Sequence, residues 1–335
     1  MSFDPQVFAQ RRERFLAKLT GGVAIIPAAH EAVRSNDTEY PFRQDSDFHY
    51  LTGFPEPDAI AVLRPGHAKP FALFVRPRDR EREIWTGFRA GPEGALERYG
   101  ADAAYPLAEW PAKLNELLVG GAPVYLRLGQ DKALEAQIVA AIDELRKKGR
   151  SGIEAPAGIL DPRPLLAEQR LIKAPDEVAL LERACEITAA GHLAAMRETR
   201  PGMYEYEVQA RIEYEFRRLG AAAPGYGTIV AGGANACCLH YHENRAVLRD
   251  GDLLLIDAGC EVEGYASDIT RTFPVNGRFN PAQRDVYQIV LSAQQAAIDA
   301  VKPGVDFMAP HEAALAVLTQ GLLDLKLISN DGGLA

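Results

Sequence analysis

Nothing in this chain reaches the roughly 18 consecutive apolar residues of a membrane-spanning helix. No block of Lys and Arg stands out either, and acidic residues outnumber basic ones, 46 to 37. The electrostatic footprint of a nucleic-acid binder is therefore missing. Cysteine is scarce: the four are Cys185, Cys237, Cys238 and Cys260. They lack the paired spacing of a zinc site, and an extracellular disulfide framework is not expected at this size. The start, Met-Ser-Phe-Asp-Pro, has no basic stretch followed by an apolar one, so no signal peptide is expected. Together these absences predict a cytoplasmic protein. What is present, 47% hydrophobic and 25% charged residues over 335 positions, suits a soluble globular protein with room for two domains.

The first part alternates helical and strand patterns. Arg11 to Leu19 reads as an amphipathic helix, and Val23 to Ile26, Ala59 to Leu63, Phe71 to Val75 and Val124 to Leu128 as strands. Helical patterns follow over Pro111 to Val119 and Lys132 to Lys148. The expectation is an α/β (α+β) chain with a first domain over 1–150, a linker rich in Pro and Gly over 151–170, and a second domain over 171–335. The second domain opens on Pro175-Asp176-Glu177, where proline suits the first helical position and the acids complement the helix N-terminus. A helix with Val208, Ile212, Phe216 and Leu219 on one face stops at Gly220. Strands are expected over Thr228 to Ala231 and Leu239 to His242. Asn280-Pro281-Ala282-Gln283 is a helix start with a capping box, and a last helical pattern covers Glu312 to Leu325.

Two aspartates fall inside strand patterns, where Asp is depleted. Asp257 ends the apolar run Leu253 to Ile256, and Asp268 lies in Tyr265 to Phe273, rich in Thr and aromatics. Gly259 and Gly264 bracket the polar turn between them, so the pair reads as a hairpin. A turn centred between Val262 and Glu263 sets Asp257 directly opposite Asp268, with Cβ atoms roughly 4.5–5.5 Å apart. Like charges facing each other are destabilising, and a divalent cation between them removes the conflict. His240 and His242 form a His-x-His on an expected strand, hence on one face. They are either a separate metal pair or one functional and one surface histidine, and the second reading is preferred. Cys237 and Cys238 read as small buried residues, His192 as a packed histidine on an apolar helix face, and Trp85 as a core or contact residue.

The segment from Asp252 to Asn276, with Ile-Asp257-Ala-Gly-Cys and Ala-Ser-Asp268-Ile-Thr-Arg-Thr-Phe, resembles the first metal-ligand motif of the Xaa-Pro aminopeptidases (aminopeptidase P). Ser35-Asn36-Asp37-Thr38, the run Phe42 to Phe54, Glu83-Ile84-Trp85-Thr86-Gly87 and the run Arg170 to Glu177 resemble further motifs of that family, in order. The resemblance implies a creatinase-like N-terminal domain followed by a pita-bread domain. It implies removal of the first residue from peptides with proline second, two divalent ions (usually manganese) and five ligands: Asp, Asp, His, Glu and Glu. On it, Asp257 and Asp268 are the two Asp ligands, with Asp268 bridging, and Thr270 stands behind the bridging carboxylate. It also makes His240 a non-ligand histidine near the substrate, Tyr226 a wall of the pocket for the N-terminal side chain, and Trp85 an aromatic that reaches a neighbouring subunit's active site in a homo-oligomer.

One departure shapes the expectation. The family's remaining His and two Glu ligands lie in the second half of the pita-bread domain. After Phe273 the single histidine here is His311, beside Glu312 and outside the family's motif; neighbours on a helix do not face the same way. The sequence thus predicts an incomplete, C-terminally truncated pita-bread domain, inactive as given. The alternatives are an Xaa-Pro dipeptidase (prolidase) and a non-catalytic binding module.

Overall fold

The computed structural model describes residues 4–329. The chain divides into two compact units at Leu180/Leu181.

The first unit is built on α1 (Pro5–Leu16), β1 (Val23–Pro27), β2 (Val33–Ser35), β3 (Thr38–Glu39), α2 (Ser46–Thr52), β4 (Ile60–Leu63), β5 (Phe71–Val75), α3 (Arg80–Thr86), α4 (Gly91–Tyr99), β6 (Ala103–Pro106), α5 (Trp110–Leu118), β7 (Val124–Tyr125), α6 (Lys132–Lys147), β8 (Ile159–Leu160) and α7 (Arg163–Leu171). Six strands form one mixed sheet in the order β6-β5-β4-β1-β7-β8. Its central strands, Val-Ala-Ile-Ile-Pro, Ile-Ala-Val-Leu and Phe-Ala-Leu-Phe-Val, are buried along their whole length, because helices cover both faces. Side chains alternate between two cores. Ala24, Ile26, Leu63 and Leu73 join Phe15, Phe48 and Leu51 on one side. Val23, Ile25, Val62 and Phe74 join Trp110, Leu114 and Ile138 on the other. The segment 151–170, expected to be a linker, supplies strand β8 and most of helix α7 and falls within this unit.

The second unit takes most of α8 (Pro175–Glu198), then α9 (Glu205–Arg218), β9 (Ala223–Pro224), β10 (Ile229–Gly232), β11 (Leu253–Ala258), β12 (Cys260–Val262), β13 (Tyr265–Ala266), β14 (Ile269–Pro274), α10 (Pro281–Ala300) and α11 (Ala309–Asp324). Two short antiparallel sheets result, β10-β11-β14 and β13-β12-β9. Leu254, Ile256 and Ala258 of β11 are fully buried with Ile187, Val208, Ile212 and Phe216 from α8 and α9. The alternation of β11 then turns Leu253, Leu255 and Asp257 to the opposite, half-exposed face. The capping box at Asn280 forms as expected: the Asn280 side chain accepts from the Gln283 amide and Gln283 reaches back to the Asn280 amide.

One charged cluster in the first unit gives a pH signature. The His30 ring lies between two carboxylates, with Nδ1 2.6 Å from Asp58 Oδ1 and Nε2 3.0 Å from Asp131 Oδ2. Hydrogen bonds to Asp58 and then Asp131 raise its pKa above the ordinary imidazole value. A raised folded-state pKa contributes stability that is full below the unfolded value, about 6.5, and is lost as pH climbs through the folded value. A His30→Ala variant should therefore melt below the wild type at about pH 6 and converge on it at about pH 9. Thermal melts at both pH values test this, and a melting deficit independent of pH contradicts it.

Candidate functional site

The hairpin that carries the two aspartates turns one residue later than expected. Glu263 and Gly264 both take left-handed backbone, φ 49° and 83°. Two consecutive positive φ angles make the tight two-residue turn that matches strand twist, so Val262 pairs with Tyr265 and Glu261 with Ala266. That register runs on through the longer ladder, where Asp257 pairs with Thr270 and Ala258 with Ile269. Asp257 is thus opposite Thr270, not Asp268. The expected face-to-face pairing is corrected to a diagonal one, because the turn is centred on Glu263-Gly264.

Continued, the register sets Asp268 against Gly259. A Cβ at residue 259 would lie 1.7 Å from the Ser267 carbonyl oxygen and 3.0 Å from the Tyr226 ring. Only glycine permits that approach. The neighbouring backbone is pinned from beneath by α8. Ser267, buried, shares a 2.7 Å hydrogen bond with the Thr188 hydroxyl, and the Cys260 amide donates to Thr188 Oγ1 at 3.1 Å. Cys260 is buried there, in the core of the second unit.

Tyr226 connects the acids. It follows β9, and the Gly225 amide donates to the Gly259 carbonyl at 2.8 Å. The phenol donates to Asp257 Oδ1 at 2.5 Å and reaches Asp268 Oδ1 at 3.0 Å. Burial first, then the bonds to Asp257 and Asp268, push this phenol well above its ordinary pKa. It stays protonated through the neutral range and remains a donor. One proton cannot neutralise two carboxylates. The donor set is anionic and all oxygen, which suits hard divalent ions, so Asp257 and Asp268 fit two ligand positions of such a centre. Among the described residues no group of three or more His, Cys, Asp and Glu side chains is placed to hold a metal ion.

The histidines lie elsewhere than on a strand. Beyond the 3₁₀ turn Gly233–Cys237, residues 238–246 form an irregular loop. The reason is the Asn244 side chain, buried and at φ 45°. Its Oδ1 accepts from the Val230 amide at 3.0 Å and its Nδ2 donates to the Thr228 carbonyl at 2.7 Å. An amide side chain thereby takes backbone groups at the start of β10 that a further strand would have used. His240 and His242 still come together, ring centroids 6.3 Å apart and 29° from parallel. Both are exposed, and neither hydrogen-bonds to Asp257 or Asp268 among the described residues. A Cβ at Gly227 would sit 3.5 Å from His242 Nδ1, so His242 lies over the backbone next to Tyr226. Cys237 and Cys238, expected to be buried, are exposed because this loop stands outside the core.

The structure therefore brings Tyr226, Asp257 and Asp268 together, with Thr270 across the strand from Asp257. Trp85 is in the other unit, at the end of α3, and is 88% exposed rather than core. His192 is buried on α8, and burial holds its imidazole below the ordinary value, as a packed histidine requires. Sequence reasoning passed over Thr188, Ser267, Glu205 and Asn244. The signal in the sequence was slight, a Ser beside Asp268 and an Asn after the histidines.

Residues 179–331 match the model of metallopeptidase family M24, and residues 8–125 match that of the aminopeptidase P N-terminal domain. The chain is 44% identical to the Xaa-Pro aminopeptidase of Escherichia coli over 97% of its length, covering 75% of that relative. It is 42% identical to the Xaa-Pro aminopeptidase of Haemophilus influenzae, covering 73% of it. Its fold superposes on the Pseudomonas aeruginosa aminopeptidase PepP with a TM-score of 0.96 and 46% identity, over 99% of this chain and 76% of that one. Against a zinc-substituted E. coli aminopeptidase P in complex with product, the TM-score is 0.95 over the same shares. The creatinase-like and pita-bread architecture expected from the motifs is thus the architecture present. With both units matched and the segment carrying Tyr226, Asp257 and Asp268 inside the M24 region, the chain belongs to the Xaa-Pro aminopeptidase (aminopeptidase P) family of metallopeptidases.

Proposed function

We propose that the protein releases the N-terminal residue from peptides whose second residue is proline, using two divalent ions, manganese foremost. The observation that carries this reading is the sharing of the Tyr226 hydroxyl by Asp257, on the open face of β11, and Asp268, just before β14, in a chain of this family. Relatives bear the name Xaa-Pro aminopeptidase, and the aminopeptidase P of E. coli was solved in complex with product and, as a variant, in complex with substrate. Bound at the two carboxylates, the ions would supply Lewis acidity toward the scissile carbonyl and lower the pKa of an attacking water.

The chain's own residues set the conditions for that step. Asp257 and Asp268 hold the positive charge in place. Tyr226 donates its proton to both, fixes their rotamers and stands as a wall where the peptide's first side chain enters. Thr270, opposite Asp257 in the ladder, takes the place behind the bridging carboxylate that the family resemblance implies. His240 gives or takes a proton at the peptide, the general acid–base role that imidazole side chains most often fill. Trp85 serves a neighbouring subunit of a homo-oligomer. The exposed Ile84, Trp85 and Phe88 support this, since clustered exposed apolar side chains mark contact surfaces. The cytoplasm is the proposed location, consistent with free thiols at all four cysteines.

The test is an assay of the purified protein with Mn²⁺ on Xaa-Pro-Xaa tripeptides and Xaa-Pro dipeptides. Release of the first residue from tripeptides, abolished by a chelator and by Asp268→Asn, is the result this reading expects; negligible turnover is the result expected from the incomplete ligand set read in the sequence, and robust turnover refutes that expectation. Cleavage of dipeptides alone would instead indicate a dipeptidase, and peptide binding without any turnover a binding module.

Tyr226→Phe separates the donor from the acids. Loss of a half-exposed hydrogen bond to carboxylate should cost about 1 kcal/mol of stability, read as a lower denaturant midpoint, and should reduce turnover. An unchanged midpoint with unchanged turnover removes Tyr226 from the site.

A further inference from the structure

Glu205 opens α9 and is completely buried, 0% exposed. A buried carboxylate without partners is costly, and this one is saturated by neutral donors. Oε1 accepts from the Gly232 amide at 2.8 Å and from Asn235 Nδ2 at 3.0 Å. Oε2 accepts from the Tyr241 hydroxyl at 2.8 Å and from the Ala246 amide at 2.9 Å. Its own amide donates to the Ala246 carbonyl at 3.0 Å. The helix N-terminus it occupies also favours negative charge.

These four donors have one thing in common. Gly232 and Asn235 are at the entry to the loop that follows β10, Tyr241 is in its middle and Ala246 is at its exit. One carboxylate closes the loop at both ends. Tyr241 lies between His240 and His242, whose side chains are exposed, so the tether on the Tyr241 hydroxyl is a direct restraint on the stretch that carries both histidines. Asn244 adds a second restraint through Val230, Thr228 and Gln209. Leu239, 88% exposed, packs against nothing that could replace them.

We infer that Glu205 is a positioning residue for the proposed reaction: through Tyr241 it holds the His240/His242 loop in one conformation beside the Asp257–Tyr226–Asp268 cluster. This rests on the aminopeptidase reading only for its kinetic consequence; the restraint itself is independent of it. Gly232 belongs to β10, which pairs with β11 and sets Ile229 against Asp257, so the same carboxylate ties the loop to the strand layer that carries the acids.

The experiment uses the full chain with Tyr241→Phe, which deletes one donor and leaves Glu205 buried with three, and with Glu205→Gln, which preserves shape but turns one acceptor into a donor. Native-state hydrogen exchange, the imidazole Hε1 resonances of His240 and His242, and steady-state kinetics on a Xaa-Pro-Xaa peptide with Mn²⁺ are measured. For Tyr241→Phe, amides of residues 238–243 should exchange about tenfold faster or more, the scale set by losing one charge-assisted hydrogen bond. Amides of β11 and β14 should be unchanged, and both histidine resonances should shift. Turnover should fall with KM nearly constant, and the pH–rate profile should move on the limb set by histidine. Glu205→Gln should do the same more strongly; if it fails to fold, Tyr241→Phe decides alone. Unchanged loop exchange and histidine resonances in Tyr241→Phe overturn the inference. Altered exchange and resonances with unchanged kcat and pH profile overturn the positioning role while leaving the restraint. If the wild type itself releases no residue, the aminopeptidase reading fails, and the exchange and resonance data still decide whether Glu205 holds the loop.

Discussion

The site depends on a close approach that one missing side chain allows. At Gly259 the Ser267 carbonyl and the Tyr226 ring both enter space that any Cβ would occupy. Without that approach the segment bearing Asp268 could not lie against the end of β11, and the Tyr226 hydroxyl could not reach both acids. The approach is held from below by two buried hydroxyls, Thr188 and Ser267, which satisfy each other and the Cys260 amide. A close backbone contact of this kind is stable because the polar groups around it are paired.

Negative charge is handled in two opposite ways within the same unit. Asp257 stands on the open face of β11 and Asp268 in the break just before β14, and the two share a single proton donor, so their charge is left for something else to neutralise. Glu205 is sealed in the core with four neutral donors, so its charge is fully spent on geometry. The first arrangement suits a ligand and the second suits a scaffold. The two are linked through one strand layer, because β10, whose Gly232 amide bonds Glu205, pairs with β11, which carries Asp257.

Much of the fold was legible because it follows from local chemistry. The buried strands of the first unit are continuous apolar runs, and the Asn280 capping box is a four-residue pattern whose bonds are made among its own members. The hairpin was legible as well, but its register was not. Gly264 marked the turn, yet whether Glu263 or Val262 opened it depends on Glu263 adopting a left-handed φ, which a glutamate does only when the surrounding strands require it. The expected strand over Leu239 to His242 failed for a similar reason. Its residues look like a strand, and the groups it would have paired with are taken by Asn244, a residue of its own loop.

The sequence by itself determined which residues belong to the acid cluster and which family they come from, because metal-binding chemistry demands particular side chains in a particular order. Tertiary structure decided how they meet. The diagonal offset of Asp257 and Asp268, the sharing of the Tyr226 proton, the exposed histidine loop and the buried Glu205 that closes it all arise from groups far apart in the chain. Which of those groups pair is set by the whole hydrogen-bond accounting of the unit, and no local pattern carries that information.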